Sequence, residues 1–323
     1  MEVLDRVLTA ARHEEPDKVP FVPLVYGMVL KRFAGLKERE YYGDFKAQLE
    51  AKIAFQRRFP DLMGPPASSF CLPEAPQCKL ATAFGGRVSW MEDAPPWVSD
   101  YPVKEVEDVD RLVSAGVPDP REAASDLLRG LEFFWEWFPE DLREKYGYIN
   151  GNVTGGTGLV EGVALMMGYD KFLVWLFLHP EEVHKLLNLA TEYYLRLCDA
   201  VIEITGPAEY FFLADHSPSF VGTDHFNEFI LPYFNRVFGR YKGALRIWHC
   251  EGSCSHMLEE VDKIDAEVWQ FGAFDDPAPC KEKTHFCLMG NLHPPGVLLK
   301  GTPSEVEEAV REIIVKAGPG GGR

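Results

Sequence analysis

The sequence predicts an α/β barrel of the (β/α)8, or TIM, type. In the second half, short apolar strand-like runs alternate with helical stretches, the signature of parallel βαβ units. Polar and metal-capable residues gather where those runs end, while their interiors are apolar, as at the functional face of such a barrel. The chain of 323 residues is 46% hydrophobic and 26% charged, an ordinary globular composition that excludes disorder as its main property. A single domain over 1–323 accommodates this length, with a hairpin-containing insertion near 65–100.

Residues 2–12 form an amphipathic helix with Val3, Val7 and Leu8 on one face. KVPFVPLV (18–25) reads as a short, proline-broken apolar strand, followed by a helix at about 44–59 and a brief apolar step at 60–64. FGGRVSW belongs to a hairpin, because Gly85-Gly86 can take positive φ between β-formers. Helices at about 105–114 and 120–145 follow. The second carries LEFFWEWF, an aromatic run read as core or homodimer packing in preference to substrate stacking. YGYINGNVT (146–154) is strand-like and precedes a glycine-rich turn and helices to about 204. EYFFLAD (209–215), LRIWHC (245–250), EVWQF (267–271) and HFCLMGN (285–291) are further strands, separated by helices at 224–241 and 255–263; a last helix covers 303–316. Barrel strands near 19–25, 60–64, 147–153, 209–214, 245–249, 267–271 and 285–290 number seven, so an eight-stranded barrel is expected to be one strand short in this chain.

With 33 Lys+Arg against 50 Asp+Glu the net charge is −17. That argues against nucleic acid as a partner, since phosphate binding needs a basic face. No signal-peptide core and no run of apolar residues long enough for a membrane span is present, so a cytoplasmic location and no membrane partner are expected. Seven scattered cysteines fit reduced thiols or metal ligands better than a disulfide framework.

The strand ends supply Tyr26, Asn150, Asn152, Asp215, His216, His249, Cys250, Glu251, Phe271, Asn291 and His293. The densest cluster is WHCEGSCSH (248–256). In an extended backbone His249 and Glu251 point to one side and Cys250 to the other. Zinc takes nitrogen, thiolate and carboxylate, which makes His249, Cys250 and Glu251 candidate ligands. Asp215 or Glu228 could supply a further one. Against this stand a hydrogen-bonded pocket histidine and two small buried thiols, with no paired CxxC or HExxH to decide the matter. The glycine-rich NGNVTGGTG lacks a Walker lysine and reads as a turn.

The order of EPDKVPFVPL, FILPYFNRV, HCEG and LMGNLHPPGVLLKGTPSEVEEAVREII resembles the uroporphyrinogen decarboxylase superfamily over nearly the whole chain. The resemblance implies an α/β barrel. True decarboxylases receive porphyrinogen carboxylates on an arginine-rich segment, but the matching VYGMVLKRF lacks it, and an acidic protein is a poor host for a polycarboxylate. The other branch implied is that of zinc-dependent methyltransferases that exchange methyl groups with a corrinoid protein. Its thiol-alkylating members carry His-x-Cys, where this chain has His249 and Glu251, so the oxygen-richer O-demethylase branch is the closer resemblance.

On that resemblance the expected activity is transfer of a methyl group from a small methoxylated donor, such as an aryl methyl ether, to a corrinoid protein. Zinc acts as Lewis acid on the departing oxygen. His249, Glu251, Glu228 and Cys250 are the candidate ligands; His216 or Tyr26 orients or protonates the leaving group; Asn152, Asp215 and Asn291 bind substrate. The alternatives are a metal-free decarboxylase-like enzyme acting on another small carboxylate, with Asp215 stabilising a developing cation, and a metal-free ligand-binding relative.

Overall fold

A computed structural model describes residues 1–62, 72–74, 78–91, 96–147, 149–150 (backbone only), 158–207 and 209–321. Its organising element is a parallel sheet of five strands in sequential order: β3 (Ile149–Asn150), β4 (Tyr210–Ala214), β5 (Leu245–Cys250), β6 (Val268–Phe271) and β7 (Cys287–Met289). A separate antiparallel pair, β1 (Arg87–Ser89) and β2 (Trp97–Asp100), forms the hairpin. The sheet strands are short; β4 is buried at all five positions and β6 at all four, as expected for strands covered on both faces. Helices such as Pro180–Thr205 and Leu231–Arg240 pack outside them. One hydrophobic cluster runs from Val3 to Cys287.

Register is what places the chemistry. Ala214 of β4 pairs with His249 of β5, and His249 pairs with Gln270 of β6. Parallel neighbours in register project side chains to the same face, so these three positions form one row across the sheet. The intervening β5 residues Trp248 and Cys250 alternate away from it. Trp248 stacks on Trp269 of β6, ring centroids 5.1 Å apart, which locks the two strands together behind the row.

The structure departs from the expected elements at several places. Residues 19–25 join no ladder; Pro20 and Pro23 have no N–H to donate. Residues 60–62 form a turn in place of the start of a strand, closed by Leu62 N–H donating to the Phe59 carbonyl. Gly85 has φ +93° but sits at the end of the helix Lys79–Ala83, ahead of the hairpin and outside its turn. The expected helix 120–145 is three pieces, Pro120–Ala123, Ser125–Trp137 and Glu140–Tyr146; Phe138 is forced out of helical geometry by the following Pro139. In the helix expected at 224–241, Phe226–Ile230 is a π-turn. Pro232 cannot donate to the Glu228 carbonyl and crowds it, so the backbone widens there. The aromatic run is mainly core: Phe134 is fully buried and Trp137 is exposed.

Among the described residues, β7 pairs only with β6. A cavity of about 160 Å³ is walled by Val19, Pro20 and Val22, by Ile247, Val268 and Met289 of β5, β6 and β7, and by Ile314. No described helix is long and apolar enough to cross a membrane, and the six described cysteines are free and buried.

Candidate metal centre and active site

The carboxyl ends of β4 and β5 bring His216 and His249 together. Their Nε2 atoms lie 3.1 Å apart with the rings nearly perpendicular, at 85°. Glu251, just past β5, completes a group in which one donor atom from each residue lies within 4.8 Å of the others. The backbone path after each strand explains the convergence. Asp215 N–H donates to the His249 carbonyl at 2.9 Å, extending the ladder one residue and carrying His216 over His249.

Asp215 is fully buried beneath this pair. One carboxylate oxygen accepts from Val160 N–H at 2.7 Å and Glu161 N–H at 3.2 Å, the other from Ser217 N–H at 3.0 Å. It therefore caps the helix Leu159–Met167 and pins that helix to the end of β4. Burial, and then the neighbouring Glu161 carboxylate, raise its pKa to about 7, with the hydrogen bonds pulling the other way. A residue so fully engaged with backbone is placed to hold the site in shape.

Each histidine is held from behind. His216 Nδ1 and backbone N lie 2.9 and 3.1 Å from Glu161 Oε2, while Tyr169 donates to Glu161 Oε1 at 2.9 Å. His249 Nδ1 is hydrogen-bonded to Gln270 Oε1. Burial penalises the His216 cation, but the Glu161 carboxylate and the more distant Asp215 and Glu251 outweigh it and raise its pKa. His249 is driven the other way, to about 3, by burial and by proximity to His216. Two neutral imidazoles whose Nδ1 atoms both carry protons would face each other with bare Nε2 lone pairs. At 3.1 Å that arrangement asks for a cation between or beside them, a proton or a metal ion.

The donor set fits zinc. Two nitrogens bound tetrahedrally at ~2.0–2.1 Å would lie ~3.3 Å apart, close to the separation observed, and a carboxylate is an accepted third ligand. Both rings are supported through Nδ1, the usual arrangement for metal-ligating histidines.

The expected residues fall into groups. His249 and Glu251 are brought together, and His216, expected as a proton donor, joins them as a third potential ligand. Cys250 is not brought to the cluster: its thiol is fully buried, lies 3.9 Å from Cys254 Sγ, and is pushed up in pKa by burial, away from the thiolate a metal needs. Glu228 is also elsewhere, exposed on the π-turn with its carboxylate 3.5 Å from His184 Nε2. Asn291 donates both amide protons to backbone, to Gly272 O at 3.0 Å and Asp275 O at 2.8 Å, so it braces the loop after β6 and keeps only its oxygen for a ligand. Tyr26 precedes the helix Gly27–Ala34; burial, then Glu251 and Glu74, raise its phenol pKa far above the ordinary value, so it stays an O–H donor. Asn152, and the side chain of Asn150, lie outside the described residues.

Sequence reasoning passed over Glu161, Tyr169 and Gln270. Glu161 was detectable as the lone acid in LVEGVALMM, a nine-residue helix that is otherwise apolar and buried throughout. Gln270 is the single polar residue of β6.

The barrel topology and a histidine-carboxylate cluster at the strand ends define a class, and the chain belongs to the uroporphyrinogen decarboxylase (URO-D) family, whose model matches residues 3–322. Within it the chain is similar to the methylcobamide:CoM methyltransferase MtbA of Methanosarcina mazei, 23% identical over 230 residues that cover 68% of this chain and 62% of that protein. The same enzyme of Methanosarcina acetivorans is 23% identical over 227 residues, with the same shares. The chain thus spans 62% of the length of the curated relatives it matches. A solved methyltransferase from Methanosarcina mazei superposes with a TM-score of 0.77 at 18% identity, covering 98% of this chain and 90% of that one, which shows the shared barrel fold.

Proposed function

We propose that the protein is a zinc-dependent methyltransferase that moves a methyl group from a small methoxylated donor to a cobalt corrinoid carried by a partner protein. The observation that carries the reading is the convergence of His216 Nε2, His249 Nε2 and Glu251, with both imidazole Nδ1 atoms engaged from behind. His216, His249 and Glu251 would hold the zinc, and a bound zinc ion supplies Lewis acidity toward the oxygen of the departing group. A set of two nitrogens and a carboxylate, with Cys250 turned away, suits an oxygen leaving group better than a thiolate-rich set would.

The chain's own residues do the remaining work. Burial and the neighbouring His216 keep His249 from becoming a cation at neutral pH, so the proton that a metal ion would displace belongs to the His216 side of the pair. Glu161 and Asp215 fix the end of β4 and hence the position of His216. Tyr26, kept as a phenol by burial and by Glu251, can donate its O–H to the oxygen that loses the methyl group. The reading carries with it a cytoplasmic location and a corrinoid protein as partner, both anticipated from the sequence.

The test is metal content together with methyl transfer. About one zinc per chain, transfer from methyl ethers to free cob(I)alamin, and loss of both in His249→Ala support it. Zinc present with no transfer from any ether refutes the donor class. Zinc absent, with ligand still bound, refutes the metal centre and favours the metal-free alternative, in which the His216–His249 pair holds a single proton.

A further inference from the structure

The two histidines are supported differently, His216 by a carboxylate and His249 by a neutral amide. We propose that Gln270 is a positioning residue that sets the tautomer of His249, holding its proton on Nδ1 so that the Nε2 lone pair faces His216. The tautomer assignment stands on hydrogen-bond geometry alone; its use, delivery of a ready ligand to the metal, rests on the zinc reading above.

The amide orientation of Gln270 is determined by its surroundings. Its Nε2 donates to the Phe271 carbonyl at 3.2 Å, an acceptor that the amide oxygen could not satisfy. Oε1 is therefore the atom turned to His249 Nδ1, and an oxygen acceptor there requires the proton on Nδ1. Both partners are buried, Gln270 at 8% exposure and His249 at 2%, so water does not offer the ring an alternative partner at this edge. The register supports the same pairing, because His249 and Gln270 are directly matched across the β5–β6 ladder. The ends of the neighbouring strands β4 and β5 thus bring two Nε2 atoms within 3.1 Å of each other.

The neutral amide matters as much as its position. A carboxylate at 270 could accept the same hydrogen bond but would add a buried negative charge beside His249. Gln270 provides orientation without that charge. His216 already has a carboxylate behind it in Glu161, so the pair as built has one anionic support and one neutral one.

The experiment uses the full chain with 15N-labelled histidine, wild type against Gln270→Met and Gln270→Glu. In metal-free protein, two-bond 1H–15N spectra report which ring nitrogen of His249 carries the proton. The expected result is an Nδ1–H tautomer in wild type, lost in Gln270→Met and kept in Gln270→Glu as neutral or protonated imidazole. An Nε2–H tautomer in wild type, or an unchanged Nδ1–H tautomer in Gln270→Met, overturns the proposal. In a competition titration with a chromophoric chelator, zinc affinity of Gln270→Met should fall ~10–100-fold, the usual effect of losing such a support. Gln270→Glu should recover part of that loss at pH 8. Zinc affinity unchanged in Gln270→Met would overturn the role toward the metal. A wild type that binds no zinc, yet shows the expected tautomer change, would fail the functional reading while leaving the tautomer assignment in place.

Discussion

Gly272 follows β6 at the point where the backbone of Glu251 passes it, and replacing it with alanine tests whether that contact sets the metal centre. A Cβ at Gly272 would lie 1.8 Å from the Glu251 carbonyl oxygen, 2.5 Å from its carbonyl carbon and 2.8 Å from its Cα. Ordinary van der Waals contact begins at 3.4 Å, so the two backbones must separate by about 1.6 Å along that direction. A functional constellation tolerates about 0.5 Å. Glu251 is therefore expected to leave the group it forms with His216 and His249, while β5 and β6 retain their Trp248–Trp269 stack. Overpacking of this kind costs about 1–3 kcal/mol of stability. Losing Glu251 as a ligand should lower zinc affinity by at least about tenfold, about 1.4 kcal/mol. Urea unfolding of the metal-free protein and a chelator competition titration measure the two effects separately. Gly243→Ala is the control: nothing lies within 4 Å of its Cβ, so it should leave both quantities unchanged or raise stability slightly. A Gly272→Ala protein with wild-type zinc affinity and the wild-type cobalt(II) spectrum would refute the reasoning.

Asp215 gives a pH-dependent expectation. Its folded pKa of about 7 exceeds the ordinary carboxylate value. The stabilisation it gives is therefore full below the ordinary carboxylate range and lost as pH rises to about 7. Metal-free Asp215→Asn should lack this slope, so its stability relative to wild type should improve between pH 4.5 and 7.5 in urea melts; a constant difference would be contrary. For the aromatic run, Phe134→Ala removes a fully buried ring and should cost about 3–5 kcal/mol. Trp137→Ala, at 61% exposure, should change stability by less than about 0.5 kcal/mol; equal effects in thermal unfolding would mean that Trp137 is covered in solution.

The second-half strands were legible because each is a short, largely apolar run, as in YFFLA and in VWQF with its single Gln270. The first half was not, since Pro20 and Pro23 leave the apolar residues 19–25 outside any ladder. The end of β5 was visible through its composition, and alternation separated His249 from Cys250 correctly. Glu228 was misplaced because spacing along a helix cannot reveal the π-turn that Pro232 imposes, nor the His184 side chain that meets it. His216 was read as a group that orients or protonates the leaving group; its closeness to His249 was not legible, because the two stand 33 positions apart and only the β4–β5 register brings their Nε2 atoms together.

The facing Nε2 atoms also tie the protein's stability to its ionic surroundings. A site that binds a cation only when β4 and β5 are assembled turns every increment of binding into folding free energy, about 2.7 kcal/mol once the free ion reaches a hundred times its dissociation constant. Because Asp215, Glu161 and Gln270 anchor the same two histidines to one helix and one further strand, that gain is shared across the strand ends instead of staying local. Thermal melting across a panel of divalent ions therefore ranks the ions by affinity. On the metal-centre reading, the supply of the preferred ion sets how much of the chain is folded.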